Sequence, residues 1–360
     1  MKNAVLKRLI NLIVTLLVIA LYVVYFIYVI SLKKSQVLQV VGFSVLGLVV
    51  SYLLTTLIHE LGHILFGLIC RLKLCYVKLF GLRFYKNENG KLKVTLSRDG
   101  NVFGETAFYS TSNENSAVKI GLTAFGGPIF SFIQVIAQLV IVLTLIDNTF
   151  MFCTFGISFV VPLYVFLINV IPFSYEHDGS VAFTMLSGGK KSHIASSYVT
   201  ASLLIAGGVS PEELNGKYLA VYDEDYSFYN IKIIRLRYLS VLINDENTAF
   251  LELDKISDLS RLPDGTYAEV LYELFFKALV LNDSEFINLH KEEVLEYLDE
   301  DDSPTSFRVQ TALCVYNEEY ERAKLLVDSG IKMCNSYANK GIAKLEKQLL
   351  ERFKDVLVNF

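Results

Sequence analysis

Long, uninterrupted runs of apolar residues dominate the first 210 positions of the chain, whereas polar and charged residues recur every few positions afterwards. The apolar runs cover residues 9–30, 37–70, 117–146 and 150–171. Each is long enough to cross a hydrocarbon core of about 30 Å as a helix, which takes about 20 residues. The pattern therefore predicts a mostly α-helical, polytopic membrane bundle of about four spans, followed by an amphipathic region.

The first run is interpreted as a membrane anchor rather than a cleaved signal peptide. From Leu9 to Ile30 it is longer than the apolar part of a typical signal peptide. It also ends in Ser31-Leu-Lys-Lys without a small-residue cleavage site. Residues 1–36 are therefore predicted to form an N-terminal anchor span.

Basic residues flank the runs unevenly and predict an orientation. Lys and Arg precede the first run and are frequent in the segment 71–119, whereas the short hairpin 147–149 contains neither. Because loops rich in Lys and Arg stay on the cytoplasmic side, we expect the N-terminus, the segment 71–119 and the C-terminal region to be cytoplasmic. The predicted location is a bacterial cell membrane, with several passes.

Alternating apolar and polar residues mark two stretches of the segment 71–119. They run from Leu74 to Tyr85 and from Lys91 to Leu96, and Asn-Glu-Asn-Gly at 87–90 separates them. This pattern is typical of a β-hairpin. We expect a cytoplasmic β-hairpin that either merely caps the bundle or offers an edge strand to which an unwound peptide could add.

The region after residue 185 has the pattern of a cytoplasmic helical domain. Ile194 to Ala206 is apolar but short and follows two lysines, which favours an interfacial or first tail helix over a fifth span. Asn244, Asn282 and Asn317 lie in similar surroundings, 38 and 35 residues apart. This spacing is typical of helical hairpins arranged as in tetratricopeptide-type repeats. Residues 186–360 are therefore predicted to form a repeat-like domain, which either binds a protein partner or only stabilises the protein.

Charge and cysteine content narrow the functional classes. Residues 1–210 contain 16 Lys+Arg and 8 Asp+Glu, whereas residues 211–360 contain 17 and 29. The acidic second part argues against nucleic acid as a partner and against lying flat on anionic lipid. The five cysteines are scattered and include no CxxC pair, so no disulfide framework is predicted.

The strongest chemical signal is His-Glu-Leu-Gly-His at residues 59–63, inside the second apolar run. On a helix, His59 and His63 lie four residues apart on one face, where two imidazoles can share a zinc ion. Glu60 lies beside the metal and can accept a proton from water. A catalytic zinc site needs a third protein ligand and an open position, and Asp178 is the candidate. An ionisable cluster in a spanning segment favours function because charge is costly to bury there.

Three ordered motifs resemble those of the site-2 protease family of intramembrane zinc metalloproteases. His59–His63 matches the HExxH of that family, and Gly127-Pro-Ile-Phe-Ser131 resembles its Gly-Pro-x-x-Asn element. Asn169-x-x-Pro172, followed by Asp178-Gly179, resembles its second ligand motif. The likeness covers residues 37–185, which we therefore treat as the zinc-binding membrane core. It implies one zinc ion per chain, held by His59, His63 and Asp178.

This sequence departs from the family pattern at two places. The interval between Pro172 and Asp178 is one residue longer than usual, so Glu176 and His177 are rival ligands. Ser131 stands where Asn is usual. The family also suggests that Asn169 and Pro172 lie at the substrate-binding site; the alternative for Asn169 is a polar residue that caps the fourth span.

The predicted function is that of an intramembrane zinc metalloendopeptidase, with Glu60 as the general base. Its substrate would be a membrane-embedded peptide: a single-span regulatory protein, a leftover signal peptide or a peptide-pheromone precursor. The alternative is a catalytically inactive membrane scaffold that binds a partner through its helical tail. A further enzyme interpretation takes Glu273 or Glu292 as the third ligand, which would require the tail to reach the membrane. In every case the lipid bilayer is a partner.

Overall fold

The apolar runs form the long helices of the structure. The computed structural model describes residues 2–86, 91–96, 104–109, 116–171, 177–221, 227–256, 259, 262, 264–337 and 339–358. Within these ranges, four helical segments are long and apolar enough to cross a membrane: Leu9–Ser31, Lys34–Ile69, Ser116–Thr144 and Thr149–Val170. The predicted mostly helical fold with four such segments is confirmed.

The first three segments are continuous helices, whereas the fourth is interrupted. They contain helices α1 (Lys2–Leu32), α2 (Val37–Ile69) and α3 (Ser116–Thr144). The fourth consists of the single turn α4 (Thr149–Met151), a π-helical segment (Phe152–Gly156), a 3₁₀ turn (Ile157–Phe159) and α5 (Val160–Val170). Helical backbone suits a hydrocarbon environment because each helix satisfies its own polar groups.

Helices α2 and α3 touch backbone to backbone. A Cβ atom added to Gly62 would lie 2.3 Å from the carbonyl oxygen of Gly126, and one on Gly126 would lie 2.4 Å from that of Gly62. Only glycine allows this approach at both positions. The contact fixes the alignment of the two helices that carry the Gly-Pro element and the HELGH motif.

The segment between α2 and α3 contains a four-stranded antiparallel sheet. Its strands are β1 (Lys73–Leu79), β2 (Leu82–Lys86), β3 (Leu92–Leu96) and β4 (Gly104–Tyr109), in the spatial order β3-β2-β1-β4. β2 pairs with β3 as the predicted hairpin, although its turn at 87–90 lies outside the described residues. The expectation of one strand from Leu74 to Tyr85 is wrong. The chain reverses at Phe80 and Gly81, whose φ angles are 51° and 80°.

Two short helices follow the fourth apolar segment. α6 (Asp178–Leu186) packs on α3, and α7 (Gly189–Ala206) comes next. α7 is not among the four membrane candidates. The chain divides into two compact units, Met1–Ser196 and Ser197–Phe360, with the division inside α7.

The second unit is helical in its described part. Its helices are α8 (Phe228–Leu242), α9 (Glu246–Leu253), α10 (Asp264–Leu281), α11 (Ser284–Glu300), α12 (Pro304–Tyr316), α13 (Tyr320–Ser336) and α14 (Lys340–Leu357). Asn244, Asn282 and Asn317 each lie in the turn between two paired helices, as the repeat pattern predicts. The following Asp245 and Asp283 cap the next helix by accepting a backbone N–H.

Candidate metal centre

Helix α2 presents two imidazole rings at the same place. His59 and His63 are both buried, and their Nε2 atoms lie 3.2 Å apart. The spacing of four residues places them one helical turn from each other on one face. The pairing predicted from HELGH is therefore present in the geometry.

Asp178, the first residue of α6, completes a triangle with these two nitrogen atoms. Its Oδ2 lies 2.9 Å from Nε2 of His59 and 3.4 Å from Nε2 of His63. A tetrahedral zinc ion with bonds of about 2.0–2.1 Å separates its ligand atoms by about 3.3–3.4 Å. The three observed separations are close to this value, so the donor set fits one zinc ion.

The second nitrogen of each ring is held by α3. Nδ1 of His63 lies 2.8 Å from the carbonyl oxygen of Thr123, and Nδ1 of His59 lies 2.9 Å from Oγ of Ser131. The amide N–H of Gly127 also points at Nδ1 of His63, at 3.3 Å. The shorter contact is to a carbonyl, which can only accept, so we assign the hydrogen to Nδ1. Nε2 of His63 then keeps a free lone pair for a metal, in the arrangement usual for ligating histidines.

Gly127 leaves space directly in front of both ligating nitrogens. A Cβ atom at this position would lie 2.4 Å from Nε2 of His63 and 2.6 Å from Nε2 of His59. Any side chain would therefore occupy the volume that an ion and its open coordination position need. The Gly-Gly pair thus has two roles, because Gly126 packs against α2 while Gly127 lies at the ligands.

Glu60 lies beside the triangle and is oriented by the sheet. One of its carboxylate oxygens and one ring nitrogen of each histidine all lie within 4.8 Å of one another, so these three residues could also hold an ion. The hydroxyl of Thr106 on β4 donates to Oε2 of Glu60 at 2.6 Å. A Cβ on Gly104 would come within 2.6 Å of Oε1. Glu60 therefore lies beside the two imidazoles, with its carboxylate oriented by β4.

A second close glycine contact determines where Asp178 lies. A Cβ on Gly179 would be 2.2 Å from the carbonyl oxygen of Val170 and 2.6 Å from that of Asn169. The start of α6 thus packs directly on the end of α5. The side-chain amide of Asn169 donates to the carbonyl of Val165 at 3.0 Å, within its own helix. Pro172 lies outside the described residues.

The structure describes three of the four rival ligands, namely His177, Glu273 and Glu292. Glu176 lies outside the described residues, and His177 precedes α6, where its carbonyl accepts the N–H of Val181. Glu273 is fully buried in ion pairs with Arg235 and Arg308, and Glu292 is exposed on α11. Of the three described carboxylates considered as the third ligand, Asp178 lies 2.9 and 3.4 Å from the two imidazoles.

The charge state of Asp178 follows from two opposing effects. Burial raises the pKa of this carboxyl group, but when no metal is bound the positive charge of protonated His63 and the hydrogen bonds from both imidazoles outweigh burial and lower the pKa below its ordinary value. The side chain is 23% exposed, which leaves one side open. Asp178 is therefore an ionised oxygen donor at neutral pH.

The sequence did not indicate the contribution of the sheet. Thr106 and Gly104 contact Glu60 from a strand that lies more than forty positions later in the chain. This strand has only six residues, too few for the sequence pattern to predict it. The contact between the Thr123 carbonyl and His63 involves backbone on one side, so no pattern of side chains indicates it. Comparison of the chain with models of known families, with curated proteins and with solved structures found no match. The likeness to site-2 proteases therefore rests on the three sequence motifs alone.

Proposed function

We propose that the chain is an intramembrane zinc metalloendopeptidase. The observation that carries the proposal is the triangle of two Nε2 atoms and one carboxylate oxygen, with separations of 2.9–3.4 Å. Three protein ligands, space in front of them and a neighbouring carboxylate are the requirements of a catalytic zinc site. The four apolar helices support a location in a membrane.

The roles of the residues follow from their contacts. A zinc ion held by His59, His63 and Asp178 would supply Lewis acidity and lower the pKa of water to about 7. Glu60 accepts the proton of the attacking water and passes it to the leaving amine. The hydrogen bond from Thr106 holds the Glu60 carboxylate in one orientation during this proton transfer. We assign no oxyanion role to Asn169, because its amide donates to Val165.

The substrate we propose is a membrane-embedded peptide, such as a single-span regulatory protein, a leftover signal peptide or a pheromone precursor. Such a peptide must unwind before hydrolysis because helical peptide groups are hydrogen-bonded internally. β4 is an edge strand of the described sheet and contacts Glu60, so it offers a place where an extended segment can pair. The second unit, as a tetratricopeptide-like array, would bind a protein partner.

The test is zinc content of the detergent-purified full chain. Wild type is expected to hold about one zinc ion per chain, and His59→Ala and Asp178→Ala are expected to lose it. His177→Ala is the matched control because it changes the neighbouring rival ligand, and it should keep the metal.

Two outcomes would contradict the proposal. Zinc retained by Asp178→Ala and lost by His177→Ala would mean that the third ligand is wrong. A wild-type protein that binds no metal when purified without chelators would favour the alternative, a membrane scaffold that acts through its helical tail.

A further inference from the structure

A column of buried polar side chains extends away from the metal cluster through the interior of the first unit. On α2, Ser44, Ser51 and Thr55 lie on the face that carries His59 and are at most 1% exposed. Fifteen residues separate Ser44 from His59, a distance of about 22 Å along the helix. Polar residues at this depth are costly and face the protein interior.

Two hydrogen-bonded groups form the ends of this polar column. At the metal end, His59 is bonded to Ser131. At the other end, Gln138 on α3 donates to Ser51 at 3.2 Å, and Ser51 donates to the carbonyl of Ser158, also at 3.2 Å. The hydroxyl of Ser158 in turn bonds the carbonyl of Thr154 at 2.7 Å.

Between and beside these groups lie polar atoms without a partner among the described residues. The amide nitrogen and oxygen of Gln134, Oε1 of Gln138, Oγ1 of Thr55 and Oγ1 of Thr154 are buried, and none has a hydrogen bond. Gln134 and Thr55 occupy the positions between the two bonded groups on α3 and α2. A buried polar atom without a partner is destabilising, and more so at membrane depth.

The π-helical segment is an independent observation at the far end of the polar column. Thr154 lies in this segment, and a Cβ on Gly47 of α2 would be 2.3 Å from its carbonyl oxygen. Non-α-helical backbone at membrane depth occurs where it is buried in protein or lines a hydrated cavity. π-helical turns are also frequent at functional sites.

We propose that the polar column binds a file of ordered water molecules that continues the hydrogen-bonded path from His59 towards Ser44. The unpaired atoms include an amide donor, two amide acceptors and two hydroxyls, and water can serve all of these. A metal cation would satisfy only the acceptors. The proposal of bound water is based on the unpaired atoms alone. A role for this water as a route between the catalytic cluster and the opposite membrane face rests on the proposed function.

The test is magnetisation transfer from water to glutamine side chains, measured by solid-state NMR on the full chain in liposomes. The chain contains six glutamines, so selective ¹⁵N-glutamine labelling gives six amide signals, and Gln134→Leu assigns one of them. We expect the Gln134 amide to receive magnetisation from water at a rate within roughly threefold of that of the exposed Gln348, as for a direct hydrogen bond to water.

Thr55→Val removes one hydroxyl at nearly constant volume and should reduce the transfer to Gln134 by roughly threefold or more. Thr56→Val is the matched control, because Thr56 bonds the carbonyl of Tyr52 instead, and it should leave the transfer unchanged. No transfer to Gln134 in the wild type, or equal effects of the two valine variants, would overturn the proposal. The measurement needs neither metal nor substrate, so its failure is distinct from failure of the protease assignment.

Discussion

At the scale of single residues, Glu60 depends on a strand that the sequence does not connect with it. Its carboxylate accepts a hydrogen bond from Thr106 and is flanked by Gly104, both on β4. A hydrogen bond to a charged carboxylate contributes about 1.5–3 kcal/mol. The proposed base is therefore oriented before any substrate arrives.

Glu60→Gln should abolish cleavage of a single-span test peptide and leave the zinc content unchanged. The amide keeps the size of the side chain but cannot accept the proton, and loss of a general base costs about 10²–10⁴-fold in rate. Glu292→Gln is the matched control, because the same change on the exposed face of α11 tests the rival third ligand. Normal cleavage by Glu60→Gln would contradict the assigned role.

Gly127→Ala should weaken zinc binding without removing any ligand. Its Cβ would lie 2.4–2.6 Å from both ligating nitrogens, which is closer than such contacts occur. We expect a loss of roughly tenfold or more in zinc affinity, the scale seen when a metal site is disturbed from outside the ligands. Competition with a chelator measures it. Gly42→Ala, which adds the same group where nothing lies within 4 Å, should bind zinc as the wild type does.

The residues of the site that could be predicted from the sequence are those that lie together on helix α2. His59, Glu60 and His63 follow from spacing alone because four residues make about one turn. Asp178 required the motif resemblance, since nothing local relates it to residues 119 positions earlier. The contacts of Thr106 and Thr123 could not be predicted from the sequence, because they depend on how the sheet and α3 pack against α2.

At the scale of elements, the sheet illustrates how period-2 alternation leaves strand ends undetermined. Alternation continues from Leu74 to Tyr85, so no polar break reveals the reversal. The turn instead relies on the left-handed backbone of Phe80 and Gly81. Gly81 is the residue in the sequence that could indicate this turn, since glycine adopts positive φ without steric cost. Helix α2, in contrast, was predicted well because its apolar run is long.

Gly179→Ala should reduce zinc content although all three ligands remain. The added Cβ would lie 2.2 Å from the carbonyl of Val170, so the start of α6 must move and take Asp178 with it. We expect a loss of roughly tenfold in zinc affinity, measured in the same chelator competition. Ser180→Ala, one residue later on α6, is the control for general disturbance of this helix. Unchanged zinc binding in Gly179→Ala would show that the junction does not position Asp178.

At the scale of the whole molecule, the change in composition predicts two parts, and the structure divides into two compact units. The division lies inside α7, whereas the sequence places it at residue 186. Because α7 continues through the boundary between the two units, no loop of distinctive composition marks this boundary in the sequence. The turns at Asn244 and Asn282 were predictable because the Asp that follows each Asn caps the next helix.

Arg308→Leu should destabilise the second unit strongly. Arg308 is fully buried and pairs with Glu273 and Glu346, each at 2.7 Å. Its removal leaves buried carboxylates uncompensated, which costs about 3–5 kcal/mol and lowers Tm by about 6 °C or more for a unit of this size. Labelling with a thiol reagent during heating, read separately at the buried Cys314 and Cys334 by peptide mass spectrometry, reports on this unit apart from Cys70, Cys75 and Cys153 of the first unit.

The matched control for Arg308→Leu is Arg322→Leu. Arg322 pairs with Glu319 on the surface and is 69% exposed. Surface substitutions of this kind change stability by about 0.5 kcal/mol or less. Equal labelling temperatures for the two variants would mean that the buried ion pairs do not hold the unit together.

The length of α2 determines how deep the metal cluster lies in a bilayer. Its 33 residues extend about 50 Å, but the hydrocarbon core is only about 30 Å thick. Even a tilt of about 40° leaves about 8 Å of this helix in the headgroup region. In a bilayer, Lys33 and Lys34 before its start would hold that end at the interface, so that the excess would emerge at the end that carries His63. Lipids of different chain length would therefore shift the depth of the proposed metal site relative to bulk water, and bilayer thickness would control its accessibility without any change of residue.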